Sequence, residues 1–525
     1  MGTQDQSKAV EAFDPLTMET TLAEGNTLVM DEGELPNNRF SLWSTIGVQF
    51  STTASPLAIG IYLQLVVGAG GSPYFFWCLL TAMILQFTTC ISLAELSSAF
   101  PHTSGTAFWT SVLSPSYCSR FLTYLNGVAI ALGWLMATCG TVVYAGQFST
   151  AIGTVVHPDY QFQLWHVYLC SAANGCFSFI LNTFLIRVLP YVTRFMILFI
   201  NAVTLFIFTS LLVKANPKAD PSTVFLEVQN ATGWSSDGVV FLIALLPGGM
   251  VISLFDAATH LSEELPRPDR QVWQVMIINA VINGVTSLAM TVALLFSLAH
   301  PENLLDPIGR MPILQLCWDA WPNKRFVLAV ATCYLIVQTF ATTALHFTLS
   351  RIIWSLSRTK AFPYSSWLSK VRPGMEVPLN AVTVAVVCSL LLCLLVLGPS
   401  TVQKGIFGSA AIFFLIAYEM PIVLLLLRGR SILPTNRTFS LGQAGSFVNI
   451  ISVSWSLIFF IFVCFPTHLP VTPDSMNWTS VCAVGLLSLG ILNWFPARRR
   501  LTPMHGLLVQ TTRNGGSTET RDGLN

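Results

Sequence analysis

Charged residues are scarce in this sequence. Lys, Arg, Asp and Glu together make up 10% of its 525 residues, and the formal net charge is only +1. A soluble domain of average composition carries about 25% charged residues, so the chain lies far from that class. Neither a basic run in the predicted outer loops nor a strongly basic balance is present, and we therefore predict no nucleic-acid partner.

Metal-binding and disulfide patterns are missing as well. The twelve cysteines include no Cys-x-x-Cys pair, and no group of His and Cys has the spacing of metal ligands. Most of the cysteines lie inside apolar stretches, where we expect buried thiols rather than a disulfide framework. The apolar stretches also contain no paired nucleophile and base. The sequence therefore predicts no metal, no cofactor and no enzymatic activity.

Apolar residues are abundant instead. They form 53% of the chain, and the mean hydropathy is +0.64. Because a helix needs about 20 apolar residues to cross a bilayer, the sequence predicts an all-α polytopic membrane protein with about twelve transmembrane helices. These spans are predicted to begin near Ser41, Tyr74, Phe121, Leu164, Leu189, Gly238, Gln271, Phe326, Val377, Val402, Ser446 and Asn477.

The predicted spans divide the chain into three regions. The first is polar and acidic, which predicts a disordered cytoplasmic tail and no cleavable signal peptide. The second is the transmembrane region, and the third is a short cytoplasmic tail. The boundaries are 1–38 for the first tail, 39–497 for the transmembrane region (one repeat at about 41–213, another at about 238–428, two further helices at about 446–497) and 498–525 for the second tail.

Basic residues are divided unevenly between the two predicted sides of the membrane. Of the 26 Lys and Arg, 20 fall on the side that holds both termini and six fall opposite. Since cytoplasmic loops carry the excess of Lys and Arg, both termini are predicted to be cytoplasmic. The sequon at Asn230 then lies in the outer loop 214–237 and is predicted to be glycosylated, whereas the sequon at Asn436 lies inside. We expect the plasma membrane, with a vacuolar or other internal membrane as the alternative.

The first span is predicted to be interrupted in its polar middle. Four hydroxyl residues, Ser51, Thr52, Thr53 and Ser55, precede Pro56 there. Proline cannot donate a hydrogen bond and disfavours the helical conformation of the residue before it, so we expect a break. An intact helix whose hydroxyls bond back to the preceding turn is the alternative.

The sixth span, within residues 238–270, carries a carboxylate at membrane depth. Pro247 and two glycines weaken its helix, and Asp256 follows in the polar segment SLFDAATH. A carboxylate costs about 2.5–3.5 kcal/mol at the centre of a membrane helix, so it should face protein, water or ligand. We predict that Asp256 binds the substrate, and the alternative is that it caps a half-helix.

Interrupted spans at matching places in two halves point to a midplane site in secondary transporters. We therefore place the substrate site where the two breaks meet, and an aromatic side chain there could contact a substrate cation. The predicted substrate-binding residues are Ser51, Thr52, Thr53, Ser55, Ser253, Leu254, Phe255 and Asp256.

Four further ionisable residues are candidates for coupling or gating. Glu263 and Glu264 end the sixth span beside Arg267 and Arg270, and they form either an inner gate or an interfacial ion-pair cluster. His346 in the eighth span and Glu419 in the tenth lie at membrane depth, where a titratable group either carries a coupling proton or is a hydrogen-bonded interior residue.

Three stretches together resemble the amino acid-polyamine-organocation transporter superfamily, specifically its fungal amino acid/choline transporter branch. They are SLAELSSAFPHTSGTAFW at 92–109, FDAATHLSEELPRPDR at 255–270 and SRIIWSLSRTKAFPYSSWLSKV at 350–371. The resemblance implies a LeuT-like fold with a 5+5 inverted repeat, broken first and sixth helices and two extra helices. This sequence differs from the family at two positions. Leu254 stands where the family usually has glycine, and Pro56 stands where the family usually has an aromatic residue.

Three functions remain open from the sequence. The first is a secondary active transporter that imports a small amine, amino acid or choline-like solute, with a proton favoured over sodium as the coupling ion. The second is an exporter of a small alkaloid-like metabolite on the same fold, and the third is a nutrient sensor that binds without transporting. The expected partners are a small-molecule substrate, the coupling ion and the lipid bilayer.

Overall fold

The computed structural model describes residues 39–65, 69–157, 159–372, 374–398, 400–473 and 476–502. Within these ranges the chain is helical, and its only β pairing consists of two isolated bridges. Ten of the described helices are long and apolar enough to cross a membrane. The chain is therefore an all-α polytopic membrane protein, as the sequence predicts. The predicted tail at 1–38 and most of the tail at 498–525 lie outside the described residues.

The helices follow the predicted spans closely. Each predicted start lies near a helix start, and the largest differences are Tyr74 against Gly71 and Gln271 against Pro268. In chain order the α-helices are α1 (Leu42–Thr53), α2 (Ser55–Tyr62), α3 (Gly71–Ala99), α4 (Thr106–Leu113), α5 (Ser119–Val156), α6 (Leu164–Thr183), α7 (Leu189–Lys214), α8 (Pro221–Phe225), α9 (Asp237–Ile243), α10 (Leu246–Val251), α11 (Pro268–Phe296), α12 (Pro312–Ala320), α13 (Lys324–Arg358), α14 (Ser365–Leu368), α15 (Leu379–Cys393), α16 (Ser400–Arg428), α17 (Gly445–Phe462) and α18 (Thr479–Ala497).

Two long helices, α5 and α13, pack against each other at the centre of the bundle. The neighbours of α5 include α6 and α16, and α11 packs on α3. Close approach of α5 and α6 depends on Gly146, because a Cβ there would lie 2.5 Å from the carbonyl oxygen of Val167. Small residues at such crossings are typical of membrane helix pairs, where van der Waals packing replaces the hydrophobic effect.

The surface of the bundle differs from that of a water-soluble protein. Large apolar side chains such as Leu198 and Leu205 of α7 are 71% and 61% exposed. Others lie on α6, α17 and α18. Extensive exposed apolar surface marks a contact with lipid or another apolar partner, which agrees with the apolar lengths of the helices.

Candidate functional site

The first span is broken at Ala54, between α1 and α2. Ala54 has φ 39° and ψ 39°, the left-handed conformation, and its N–H donates to the Phe50 carbonyl to close α1. Pro56 lies in the first turn of α2, where its missing N–H costs no helical hydrogen bond. The interruption predicted from Pro56 is therefore present.

The sixth span is broken twice. Its first helix, α9, ends at Ile243, and α10 begins at Leu246 with Pro247 in its first turn. Pro247 has no N–H for the Ile243 carbonyl, which explains the first interruption. After Val251 the chain leaves the α-helical conformation, and a 3-10 helix follows at Thr259–Glu264.

The second interruption contains a strained residue. Leu254 has φ 62°, the left-handed region in which a side chain with a Cβ costs roughly 1–2 kcal/mol. The transporter branch that this sequence resembles usually has glycine at this position. The strain is held in place by contacts from the rest of the fold, since Leu254 itself is buried in the core.

Side chains from the first span hold the break in the sixth. Gln49 donates from Nε2 to the Leu254 carbonyl, and its Oε1 accepts from the Ala258 N–H at 3.1 Å. Ser55 Oγ donates to the Val251 carbonyl. Backbone groups that a continuous helix would satisfy internally are thus bonded by the neighbouring broken span, as apolar surroundings require.

Asp256 lies in this break and is fully buried. Its Oδ1 accepts from the Tyr418 hydroxyl at 2.5 Å, and its Oδ2 accepts from Trp134 Nε1 at 3.2 Å. His260 Nε2 lies 2.9 Å from the same Oδ2, and His260 Nδ1 lies 2.8 Å from the carbonyl oxygen of Thr103. The side-chain contacts of Asp256 are with other side chains, and Gln49 takes the capping role at Ala258.

Aromatic rings surround the carboxylate. Phe255 stacks on Tyr418 with ring centroids 4.8 Å apart, and Phe414 stacks on Tyr418 at 5.5 Å. Trp134 meets Phe414 edge to face at 5.9 Å. The break therefore combines one carboxylate with several π-faces, which is the chemistry that binds ammonium groups in proteins.

The other three predicted hydroxyls of the first span differ in their hydrogen bonds. Thr52 Oγ1 donates to the Gln49 carbonyl at 2.7 Å, so this hydroxyl bonds back to the preceding turn of α1. Thr53 Oγ1 lies 3.1 Å from Asn283 Nδ2, which donates to it, and 3.3 Å from the Phe50 carbonyl. Ser51 Oγ is buried without a hydrogen-bond partner. Ser51 is thus the hydroxyl of this set with free hydrogen-bonding capacity.

A small cavity lies beside the break, among α3, α10, α16 and α17. Ser253 and Glu419 both line it, and Ser253 Oγ donates to the Gly249 carbonyl at 2.5 Å. Glu419 Oε1 accepts from Ser456 Oγ at 2.7 Å, Ser452 Oγ at 3.0 Å and Thr89 Oγ1 at 3.2 Å. The partners of this partly buried carboxylate are all hydroxyls, and none of them carries a charge.

His346 lies elsewhere, on the side of α13 that faces α6 and α15. Its Nδ1 is 3.0 Å from Ser178 Oγ, and its Nε2 is 2.7 Å from Ser389 Oγ. The ring is fully buried, and it is not among the residues that line the cavity. These contacts match the hydrogen-bonded interior histidine that the sequence left as the alternative.

Glu263 and Glu264 contact different partners from those that the sequence suggested. Glu264 is buried and accepts from Arg351 Nε at 3.1 Å, and Arg39 NH1 lies 3.5 Å from its other oxygen. Glu263 pairs with Arg358 at 2.8 Å. The expected cluster with Arg267 and Arg270 is wrong, because the 3-10 helix ends at Glu264, Leu265 is extended, and both arginines lie exposed on either side of Pro268, where α11 begins.

The sequence did not assign four residues of this site, namely Gln49, Trp134, His260 and Tyr418. His260 could have been found, since it follows Asp256 by four residues and such pairs share a helical face. Gln49 belongs to the polar middle of the first span. Trp134 and Tyr418 come from other spans, and nothing in the sequence near Asp256 points to them.

Comparison with known proteins gives a consistent result. The sequence model of the amino acid permease family matches residues 40–487. A choline transporter of Saccharomyces cerevisiae is 29% identical over 457 residues, covering 87% of this chain and 80% of that relative. A swainsonine transporter of Arthroderma benhamiae is 27% identical over 465 residues, covering 87% and 90%. An amino-acid permease of Schizosaccharomyces pombe is 26% identical over 463 residues, covering 88% and 85%.

Proposed function

Because this chain belongs to the amino acid permease family of membrane transporters, we propose that it is a proton-coupled secondary transporter of a small amine, amino acid or choline-like solute. The observation that carries the proposal is the buried Asp256 carboxylate among aromatic rings at the break of the sixth span. A charge-assisted contact to that carboxylate and cation–π contacts to the rings would hold an ammonium group.

The predicted residues around Asp256 fit this role in different ways. Phe255 supplies a π-face, Ser253 and Ser55 donate to backbone carbonyls of the sixth span, and Leu254 accepts from Gln49 at the break. Ser51 Oγ has unused hydrogen-bonding capacity for a polar group of the solute. The 5+5 inverted repeat that the resemblance implies would place this site near the midplane of the membrane.

The direct test is uptake of a panel of labelled amines, amino acids and choline by vesicles of defined orientation. Saturable flux of an ammonium compound supports the proposal. Binding without flux would make the protein a sensor instead. No flux and no binding for any member of the panel contradicts the proposed substrate class.

Export of an alkaloid-like amine is the second candidate, and one relative of this chain is named swainsonine transporter. An exporter would move an alkaloid-like amine, and the same carboxylate and rings would recognise its ammonium group. Right-side-out and inside-out vesicles separate the two directions under an imposed proton gradient.

We propose Glu419 as a titratable coupling or gating residue, because it lines the cavity beside Ser253 and its hydrogen-bond partners are uncharged hydroxyls. Glu419→Gln keeps the size of the side chain and can still accept from the three hydroxyls, but it cannot titrate. We expect the pH dependence of transport to flatten while substrate affinity changes much less. Transport rates measured across a pH series, together with affinity at each pH, check this.

His346→Gln is the matched comparison, since it replaces the other candidate away from the cavity. We expect it to keep the wild-type pH profile. Unchanged profiles in both variants would remove Glu419 and His346 as coupling residues.

Both termini are proposed to be cytoplasmic and the protein to reside in the plasma membrane. Asn230 is exposed, and its Oδ1 accepts from the Thr232 hydroxyl at 2.7 Å. We expect a glycosidase-sensitive mass on the protein that Asn230→Gln removes and Asn436→Gln leaves unchanged. A C-terminal tag that impermeant reagents reach on intact cells would contradict this topology.

Glu263 and Glu264 are proposed to latch the cytoplasmic end of the pathway. They join the end of the sixth span to Arg358 and Arg351 at the end of α13, and Glu264 also joins it to Arg39 ahead of α1. Ion pairs between these elements must separate before the cytoplasmic ends can move apart, which is what an inner gate requires.

A further inference from the structure

The hydrogen bonds of His260 fix how many protons it shares with Asp256. The carbonyl oxygen of Thr103 can only accept, so His260 Nδ1 carries a hydrogen. Nε2 and Asp256 Oδ2 are 2.9 Å apart, and a second proton must lie between them. Since Tyr418 and Trp134 also donate to Asp256, the ionised carboxylate and the doubly protonated imidazole are favoured.

This pair is electrically neutral as a unit, and both of its side chains are fully buried. Removing the shared proton would leave a buried carboxylate whose remaining donors among the described residues, Tyr418 and Trp134, are both neutral. An uncompensated buried charge is costly. The pair therefore loses its proton readily only when another cation takes the place of that proton beside Asp256.

We propose that the ammonium group of the substrate and the proton shared by Asp256 and His260 compete for the same carboxylate, so that binding one substrate cation releases one proton. The inference rests on the proposed role of Asp256 in binding the substrate. On binding, the N–H bond at His260 Nε2 breaks and its proton passes to water. Nδ1–H stays bonded to the Thr103 carbonyl, and the ammonium group neutralises the carboxylate.

Few other groups around the pair can titrate in its place. Tyr418 from α16 contacts Asp256 as a neutral donor, and Glu264 on the same segment is already paired with Arg351. His102 lies in the loop that carries Thr103, and burial together with nearby Arg358 lowers the pKa of His102 to about 3. His102 is therefore neutral near pH 7.

The remaining contacts come from two elements that carry no titratable group toward the pair. Trp134 from α5 meets the His260 ring edge to face at 6.1 Å. Gln49 from α1 is bonded to the backbone on either side of Asp256. Glu419 follows Tyr418 in α16, but its own hydrogen bonds are with Thr89, Ser452 and Ser456.

Competition for one carboxylate determines the type of coupling. A monovalent substrate cation and a proton occupy the site in turn, so the transporter exchanges one for the other and no net charge crosses the membrane. A proton gradient directed inward then drives the substrate outward, as in the export candidate. Symport would require both cations to be bound together, and would move two positive charges for each choline.

The experiment uses choline and the purified full-length protein in weakly buffered solution with a pH indicator. Choline is a quaternary ammonium ion without an acidic N–H, so any released proton comes from the protein. We expect release that approaches one proton per choline bound. The apparent affinity should fall by up to tenfold for each unit by which the pH is lowered while the pair stays protonated.

Choline binding with no proton release, or with proton uptake, overturns the inference and leaves the proposed substrate class intact. If neither choline nor any amine of the panel binds, the substrate class is wrong and the inference falls with it. In vesicles, choline flux driven by a proton gradient should be insensitive to an imposed potassium diffusion potential. Strong stimulation by that potential contradicts the exchange.

His260→Gln locates the released proton. It retains a polar side chain without the titrating ring, so we expect choline binding to lose its proton release and its pH dependence. His346→Gln should still release the proton, because His346 is bonded to Ser178 and Ser389 and does not contact Asp256. Wild-type release by His260→Gln would contradict the assignment, and the wild-type titration remains decisive if this variant does not accumulate.

Discussion

Asp256→Asn is expected to lower the affinity for an ammonium substrate roughly tenfold or more, while the protein still reaches the membrane in normal amount. The loss follows from the charge, because a charge-assisted contact in a water-poor site contributes about 1.5–3 kcal/mol. The fold should tolerate the change better. The introduced amide could still accept from Tyr418 and donate to a neutral His260, so the hydrogen bond from Trp134 is the main one lost.

Tyr418→Phe is the matched control, since it deletes one donor to Asp256 and keeps the ring and the carboxylate charge. We expect it to retain measurable substrate binding at an affinity much closer to wild type. Binding of labelled choline or amine and surface expression should be measured in parallel. Normal transport by Asp256→Asn at wild-type expression, over a range of substrate concentrations, would leave Asp256 as a structural residue.

The positions of the spans could be predicted because membrane insertion imposes a local rule. A run of about 20 apolar residues forms a helix whatever the rest of the chain does, since its backbone must be satisfied internally. The breaks could also be predicted from the local sequence, because Pro56 and Pro247 each lack a backbone donor. Leu254 shows the limit of such rules, since a left-handed leucine is maintained only by tertiary contacts such as that from Gln49.

The partners of the ionisable residues could not be predicted in the same way. Asp256 stood out because a carboxylate is rare at membrane depth, but the bonds from Trp134 and Tyr418 arise from the packing of α5 and α16 against the break. For Glu264, the local sequence indicates the wrong ion-pair partners. Its neighbours in sequence, Arg267 and Arg270, are exposed, and its actual partner Arg351 lies 87 residues further along the chain.

The buried ion pair between Glu264 and Arg351 is expected to contribute strongly to stability. Glu264→Ala leaves the Arg351 guanidinium fully buried without its carboxylate, and NH2 of Arg351 already lacks a hydrogen-bond partner. Stranding a buried charge costs about 3–5 kcal/mol. We expect a large loss of thermal stability in the purified protein and a loss of transport, because the latch at the end of the sixth span is gone.

Glu263→Ala is the matched control, because its pair with Arg358 is about one-third exposed on both sides. Exposed pairs contribute about 0–1 kcal/mol, so this variant should unfold close to the wild-type temperature. Combining Glu264→Ala with Arg351→Met removes the stranded charge and keeps an apolar side chain near Phe347, over whose ring the guanidinium lies at 3.7 Å. The double variant should therefore recover much of the lost stability, since a buried pair can often be replaced by apolar residues at little cost. Equal stability of Glu264→Ala and Glu263→Ala would show that the buried pair does not hold this end of the bundle together.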